Sequence, residues 1–244
     1  MKPPFPALLK QNHLQDSIIA FRYLTDYSTT YIETRLLEFL SQNNIRDFEK
    51  LRKKEQKKLE TNADIEYLVV KRYFYANRKY ILEVNDNEIK LNCTKEYVGW
   101  EDYRRFIEKI IEFLDSIQVD FKTIEMQYIS TFPDTDILGA VDGSIKLNCY
   151  PRLEGTQFRF SMPVGDHEGR YNPLYTTVIL TNYVHSKQDG QNQKLSYVDI
   201  HLLANIGEVP VREMVEHIHQ QEKNLFFSMM SKNFIDSLEP IYNK

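Results

Sequence analysis

One stretch, Tyr97 to Phe132, restricts the fold more than any other part of the sequence. Trp100, Tyr103, Ile107, Ile110, Ile111, Leu114 and Ile117 recur at three- and four-residue intervals. That is one face of a helix with 3.6 residues per turn. Phe106 and Phe113 widen the face, while Glu101, Arg104, Arg105, Glu108, Lys109 and Glu112 fill the other side. Glu101 to Arg105 is an i,i+4 pair in the favourable acid-before-base order, and Glu108 to Glu112 is a like-charge pair. The period then switches to two. Ile124, Met126, Tyr128 and Ser130 alternate with Thr123, Glu125, Gln127 and Ile129, and Pro133 ends the run. A helix with so wide an apolar face has to lie on a sheet or on another helix. The pattern therefore predicts a helix over Trp100–Ile117, covering one side of a sheet, followed by a strand over Thr123–Phe132.

The preceding part of the chain reads as more of the same layers. Ser17–Leu24 is β-branched and aromatic, a first strand. Ser28 or Thr29 can cap a helix over Tyr31–Leu40, with Ile32, Leu36, Leu37 and Leu40 at helical spacing. Residues 46–60 hold seven Lys or Arg against four Asp or Glu, which suits a solvated helix or linker, or a small anion- or partner-binding face. Tyr67–Tyr75, Lys79–Val84 and Glu88–Cys93 read as strands of a meander, with Asn85-Asp86-Asn87 as a turn.

Beyond a turn-rich connector, Pro133–Ser144, the style repeats. Ile145–Cys149, Gln157–Met162, Tyr175–Val184 and Leu195–Ala204 read as strands, separated by polar loops at Gly165–Asn172 and Lys187–Gln193. Pro210 opens a helix that runs to about Met230, with Val211, Met214, Val215, Ile218, Leu225, Phe226 and Met229 inward. The segment Ile89–Cys93 recurs as Ile145–Cys149, but the helix after the first copy has no counterpart after the second. The echo is therefore not a sequence repeat.

The expected fold class is α+β: a largely antiparallel sheet in two similar halves, each followed and covered by a long amphipathic helix. The expected division is 1–132 and 145–244 with the connector 133–144 between them, or one continuous domain.

Composition excludes several function classes. Charged residues at 27% and hydrophobic ones at 42% are those of an ordinary globular protein. A net charge of −4 and a pI near 5.9 argue against wholesale binding of duplex DNA. No apolar run is long enough to span a membrane. The N-terminus lacks a signal peptide's apolar region and cleavage site, so Cys93 and Cys149 are expected as reduced thiols in a cytosol. There is no nucleophile elbow, P-loop or dinucleotide fingerprint, and no cofactor is expected.

Metal ligation has only weak candidates. Asp199 and His201 would share one strand face, whereas His217 and His219 point to opposite sides of a helix. No HExxH or CxxC occurs, so structural histidines are the simpler account. The most distinctive local chemistry is Lys71, Arg72, Tyr73 and Tyr75 with Arg78 and Lys79. On a strand, Lys71, Tyr73 and Tyr75 share one face. Basic and stacking side chains on a sheet are what single-stranded nucleic-acid binders use, but alternating aromatics also pack under helices, and strand lysines protect edges.

The residues Pro3 to Leu9 before a strand, the Tyr97/Trp100 helix leading to a strand with a central Tyr128-Ile129, and a closing helix with His219 and Phe226/Phe227 form a recognisable order. It resembles a sporadically distributed bacterial family of uncharacterised conserved proteins. Typical members carry Arg-Tyr-Ile-Asn in the strand after the central helix. The matching positions here are Gln127, Tyr128, Ile129 and Ser130, so both polar signature residues are replaced, and an activity resting on them would be lost or changed. The family's patchy occurrence is the pattern of mobile or defence-type cassettes.

The resulting expectation is a non-enzymatic, cytoplasmic interaction module, the partner or neutralising subunit of a neighbouring gene's product. It would bind a protein partner or a second copy of itself, and no membrane. The alternative is an RNA- or single-stranded-DNA-binding or -processing protein using residues 71–80.

Overall fold

The structure, a computed structural model, describes residues 6, 8–10, 13–50, 71–76, 78–94, 97–142, 154–165, 170–188 and 191–242. In chain order the elements are β1 (Leu8–Leu9), β2 (Leu14–Leu24), α1 (Thr29–Gln42), β3 (Glu49–Lys50), β4 (Lys71–Tyr75), β5 (Tyr80–Asn85) and β6 (Glu88–Cys93). There follow α2 (Trp100–Ser116), β7 (Asp120–Pro133), α3 (Ile137–Ala140), β8 (Gln157–Val164), β9 (Leu174–Gln188), β10 (Gln191–Asn205), α4 (Val211–Met229), α5 (Lys232–Ser237) and β11 (Pro240–Ile241). Nine strands make one sheet in the order β3-β4-β5-β6-β2-β7-β10-β9-β8, and β1 pairs with β11. Every strand pair with a described register is antiparallel. The α+β class with a large antiparallel sheet is thus what the structure contains. No helix among the described residues is long and apolar enough to cross a membrane. Contacts divide the chain into two compact units, 18–124 and 1–17 with 125–244, and the division falls inside β2 and β7.

In the 18–124 unit, α2 is the helix its spacing predicts. Tyr103, Phe106, Ile107, Ile110, Ile111, Phe113 and Leu114 are all buried, and Glu101 and Asp102 sit in the first turn, where acids suit the helix dipole. Each Leu- or Ile-sized side chain buried this way contributes about 1.5–3 kcal/mol. The ion pairs differ from the expected Glu101–Arg105 pair: Arg105 bonds Asp102 at 3.0 Å, and Arg104 lies 3.4 Å from Glu108. At its end Gln118 takes φ 54°, and its N–H bonds the Asp115 carbonyl.

Ser28, not Thr29, caps α1, its side chain accepting from the Tyr31 N–H. The β5–β6 hairpin closes through Asp86-Asn87, with Asn87 at φ 56°, a conformation asparagine tolerates. Its register sets Leu82 opposite Leu91 and Val84 opposite Ile89, all fully buried. The Tyr103 hydroxyl donates to the Leu91 carbonyl at 2.7 Å, fixing α2 on β6. Cys93 is fully buried.

In the other unit, β9 and β10 are longer than their hydrophobic alternation. They pair out to Gln188 and Gln191, so most of the expected loop at Lys187–Gln193 is strand. Polar residues there carry no core-facing period, which is why the pattern is silent. A bulge at Ser196 separates two registers of this pair. Opposite it, Tyr183 takes φ 49°, and its N–H donates to the Ser196 hydroxyl at 3.0 Å. Ser196 in turn donates to the Thr135 carbonyl, and the fully buried Asn182 donates to Asp136 at 2.7 Å and accepts from the Leu138 N–H at 3.2 Å. Two buried polar side chains thus dock α3 on β9 and β10. Pro210 starts α4 as expected, and Met214, Val215, Ile218 and Phe226 face inward. The expected strand at Ile145–Cys149, residues 67–70 of the expected Tyr67–Tyr75 strand, residues 51–60 of the charged run and residues 166–169 of the Gly165–Asn172 loop lie outside the described residues.

Candidate functional site

The sequence draws attention first to β4 and the turn after it. Alternation places Lys71, Tyr73 and Tyr75 on one face and Arg72 and Phe74 on the other. The first face meets the helices. Glu33 of α1, 8% exposed, accepts from Lys71 Nζ at 2.5 Å, from Lys50 Nζ at 2.8 Å and from the Tyr73 hydroxyl. Burial would raise the Glu33 carboxyl, but the two ammonium groups outweigh it and hold the group below its ordinary value. Lys71 also donates to Thr30 Oγ1 at 3.1 Å. Tyr75 lies among Phe48, Tyr80 and Phe106, with ring centroids at 5.2, 6.1 and 5.7 Å. On the other face Arg72 pairs with Glu83 at 2.6 Å. Arg78, in the β4–β5 turn, lies 5.1 Å from the Phe74 ring and 3.7 Å from Glu49, and Lys79 is half-buried beside it. The six residues therefore divide among a buried ion cluster, an aromatic cluster and an outer face.

The second grouping lies on the β7–β10 face of the other unit. Asp199 and His201 do share a face, and each has a neighbour from β7. Gln127 Nε2 donates to both Asp199 oxygens at 3.0 Å, and His201 Nε2 lies 2.7 Å from Glu125 Oε1. The register continues the rows: Arg159 and Asp199 both face Ile179, and Ser161 and His201 both face Thr177. Burial raises the Asp199 carboxyl despite the Gln127 bond and the nearby His201 and Arg159 charges. Among the described residues no three His, Cys, Asp or Glu side chains converge on a metal-sized site. On β7, Gln127 thus faces Asp199, while Tyr128 points to the opposite face and meets His219 Nδ1 at 2.9 Å.

That contact belongs to α4, whose two histidines diverge as their spacing requires. His217 stacks on Tyr171 at 3.8 Å. His219 is driven down to about 4 by burial and the Lys223 charge. One turn along, Glu222 sits between Ile218 and Phe226 on the inward stripe, and burial pushes it up to about 8. Burial thus disfavours the charged form of both groups, and neither extends into a cluster of catalytic type among the described residues.

A feature that the sequence reasoning missed is an open groove of about 690 Å³ in the 18–124 unit. Leu24, Asp26, Tyr27, Ile117, Gln118 and Asp120 line it, where the end of β2 and the loop to α1 meet the turn from α2 to β7. Leu24 is 53% exposed, Tyr27 47%, and Tyr31, just inside α1, 40%. Tyr27 and Tyr31 stack on each other, centroids 4.6 Å apart and planes at 20°. Their supports are local: Tyr27 N–H donates to Thr25 Oγ1, Ser28 caps the helix, and Thr29 Oγ1 donates to Asp86. The available signal was Tyr31 lying off the Ile32/Leu36/Leu40 stripe, four residues after a second tyrosine. No family model matches the chain, and no curated protein matches it.

Proposed function

We propose that the chain is a non-enzymatic, cytosolic protein-interaction module that docks a partner through the Leu24–Tyr27–Tyr31 surface. The observation that carries the reading is three large apolar side chains, each 40% exposed or more: Leu24 and Tyr27 line one groove, and Tyr31 stacks on Tyr27. Isolated exposed hydrophobics are ordinary, but contiguous ones mark interaction sites. Tyrosines anchor interfaces well, because they offer large area at little conformational cost. The expectation of two similar halves belongs to this proposal, and α2 after β6 and α4 after β10 support it. The family resemblance adds the further proposal that the partner is the product of a neighbouring gene.

The test is affinity capture of tagged protein from its own host, with and without nuclease, comparing the wild type with Tyr27→Ala and Tyr31→Ala. A stoichiometric protein that survives nuclease and is lost with either variant supports the reading. A wild type that captures no protein refutes it.

The nucleic-acid reading keeps one favourable observation: Arg72, Phe74 and Arg78 lie on the outer side, with Arg78 exposed. It predicts salt-sensitive binding of a single-stranded oligonucleotide, weakened by Arg78→Ala. Glu83 and Glu49 beside these arginines weigh against it.

A further inference from the structure

We draw no further inference here: the strongest candidate, the side-chain row Glu125, His201, Thr177 and Ser161 across β7, β10, β9 and β8, sets carboxylate, imidazole and hydroxyls in the order of a nucleophile-activating relay, but among the described residues no hydrogen bond joins His201 to the hydroxyl pair, and nothing in the structure shows what covers that face.

Discussion

Replacing Glu33 by glutamine separates a structural role for Lys71 and Tyr73 from a ligand-binding one. Glu33→Gln keeps the shape of the side chain and removes its charge. The Tyr73 hydroxyl, on a residue 3% exposed, loses a charged acceptor for a neutral one, a change of about 1 kcal/mol. Lys71, whose side chain is 19% exposed, loses its carboxylate and retains Thr30, a further 1–2 kcal/mol or so. Lys50 is 53% exposed, and solvent screens its share to a few tenths of a kcal/mol at about 2.8 Å. Relief of the buried carboxylate's desolvation returns part of this, leaving a net loss of about 2 kcal/mol.

Urea unfolding at pH 7 measures it, and the shift belongs to the transition of the 18–124 unit if the two units unfold separately. The pH dependence carries a second signature. The folded carboxyl lies below its ordinary value of 4.5, so its contribution is complete above that value and is lost as pH falls through the folded one. Wild type and variant should converge toward pH 2. A loss below about 0.5 kcal/mol at pH 7, or one undiminished at low pH, would refute the reasoning.

Three further substitutions probe the other unit. Glu222→Gln removes an acid raised to about 8 from an ordinary 4.5. The penalty it relieves is absent below pH 4.5, grows through pH 8 and, screened by the side chain's partial exposure, should give a gain of about 2 kcal/mol at pH 9 by urea unfolding. Asn182→Ala leaves the Leu138 N–H and Asp136 without the partner that docks α3, and calorimetry should register a loss of about 2–3 kcal/mol. Gln127→Arg places a guanidinium opposite Asp199, and carbon-detected NMR titration should find the Asp199 carboxyl moved from above its ordinary 3.8 to below it.

Much of the fold was legible because periodicity reports on burial. The α2 stripe, the β7 alternation, the Ser28 cap and the Pro210 start all reflect faces that must leave water, and the structure places them accordingly. The ends of β9 and β10 were not legible, because strands that reach past the core carry no apolar period. The site residues show the same limit in another form. Alternation placed Lys71, Tyr73 and Tyr75 together, yet nothing near them discloses Glu33, some forty residues earlier, which occupies the lysine and the first tyrosine. Asp199 and His201 were read on one face, whereas Gln127 and Glu125, which engage them, belong to a strand paired only in the folded chain. Glu222 was visible as the single acid interrupting the inward stripe of α4, and an apolar tally passes over such a residue. The tyrosine groove joins segments nearly a hundred residues apart, so only the fold assembles it.

The docking surface is tested most directly by capturing the partner from host extract with wild type and with the Tyr27→Ala/Tyr31→Ala double variant, matched in urea midpoint so that folding is not at issue. The account predicts at least a tenfold loss of a nuclease-resistant, stoichiometric protein from the variant, as expected for two central aromatic anchors. Equal recovery by both proteins would contradict it.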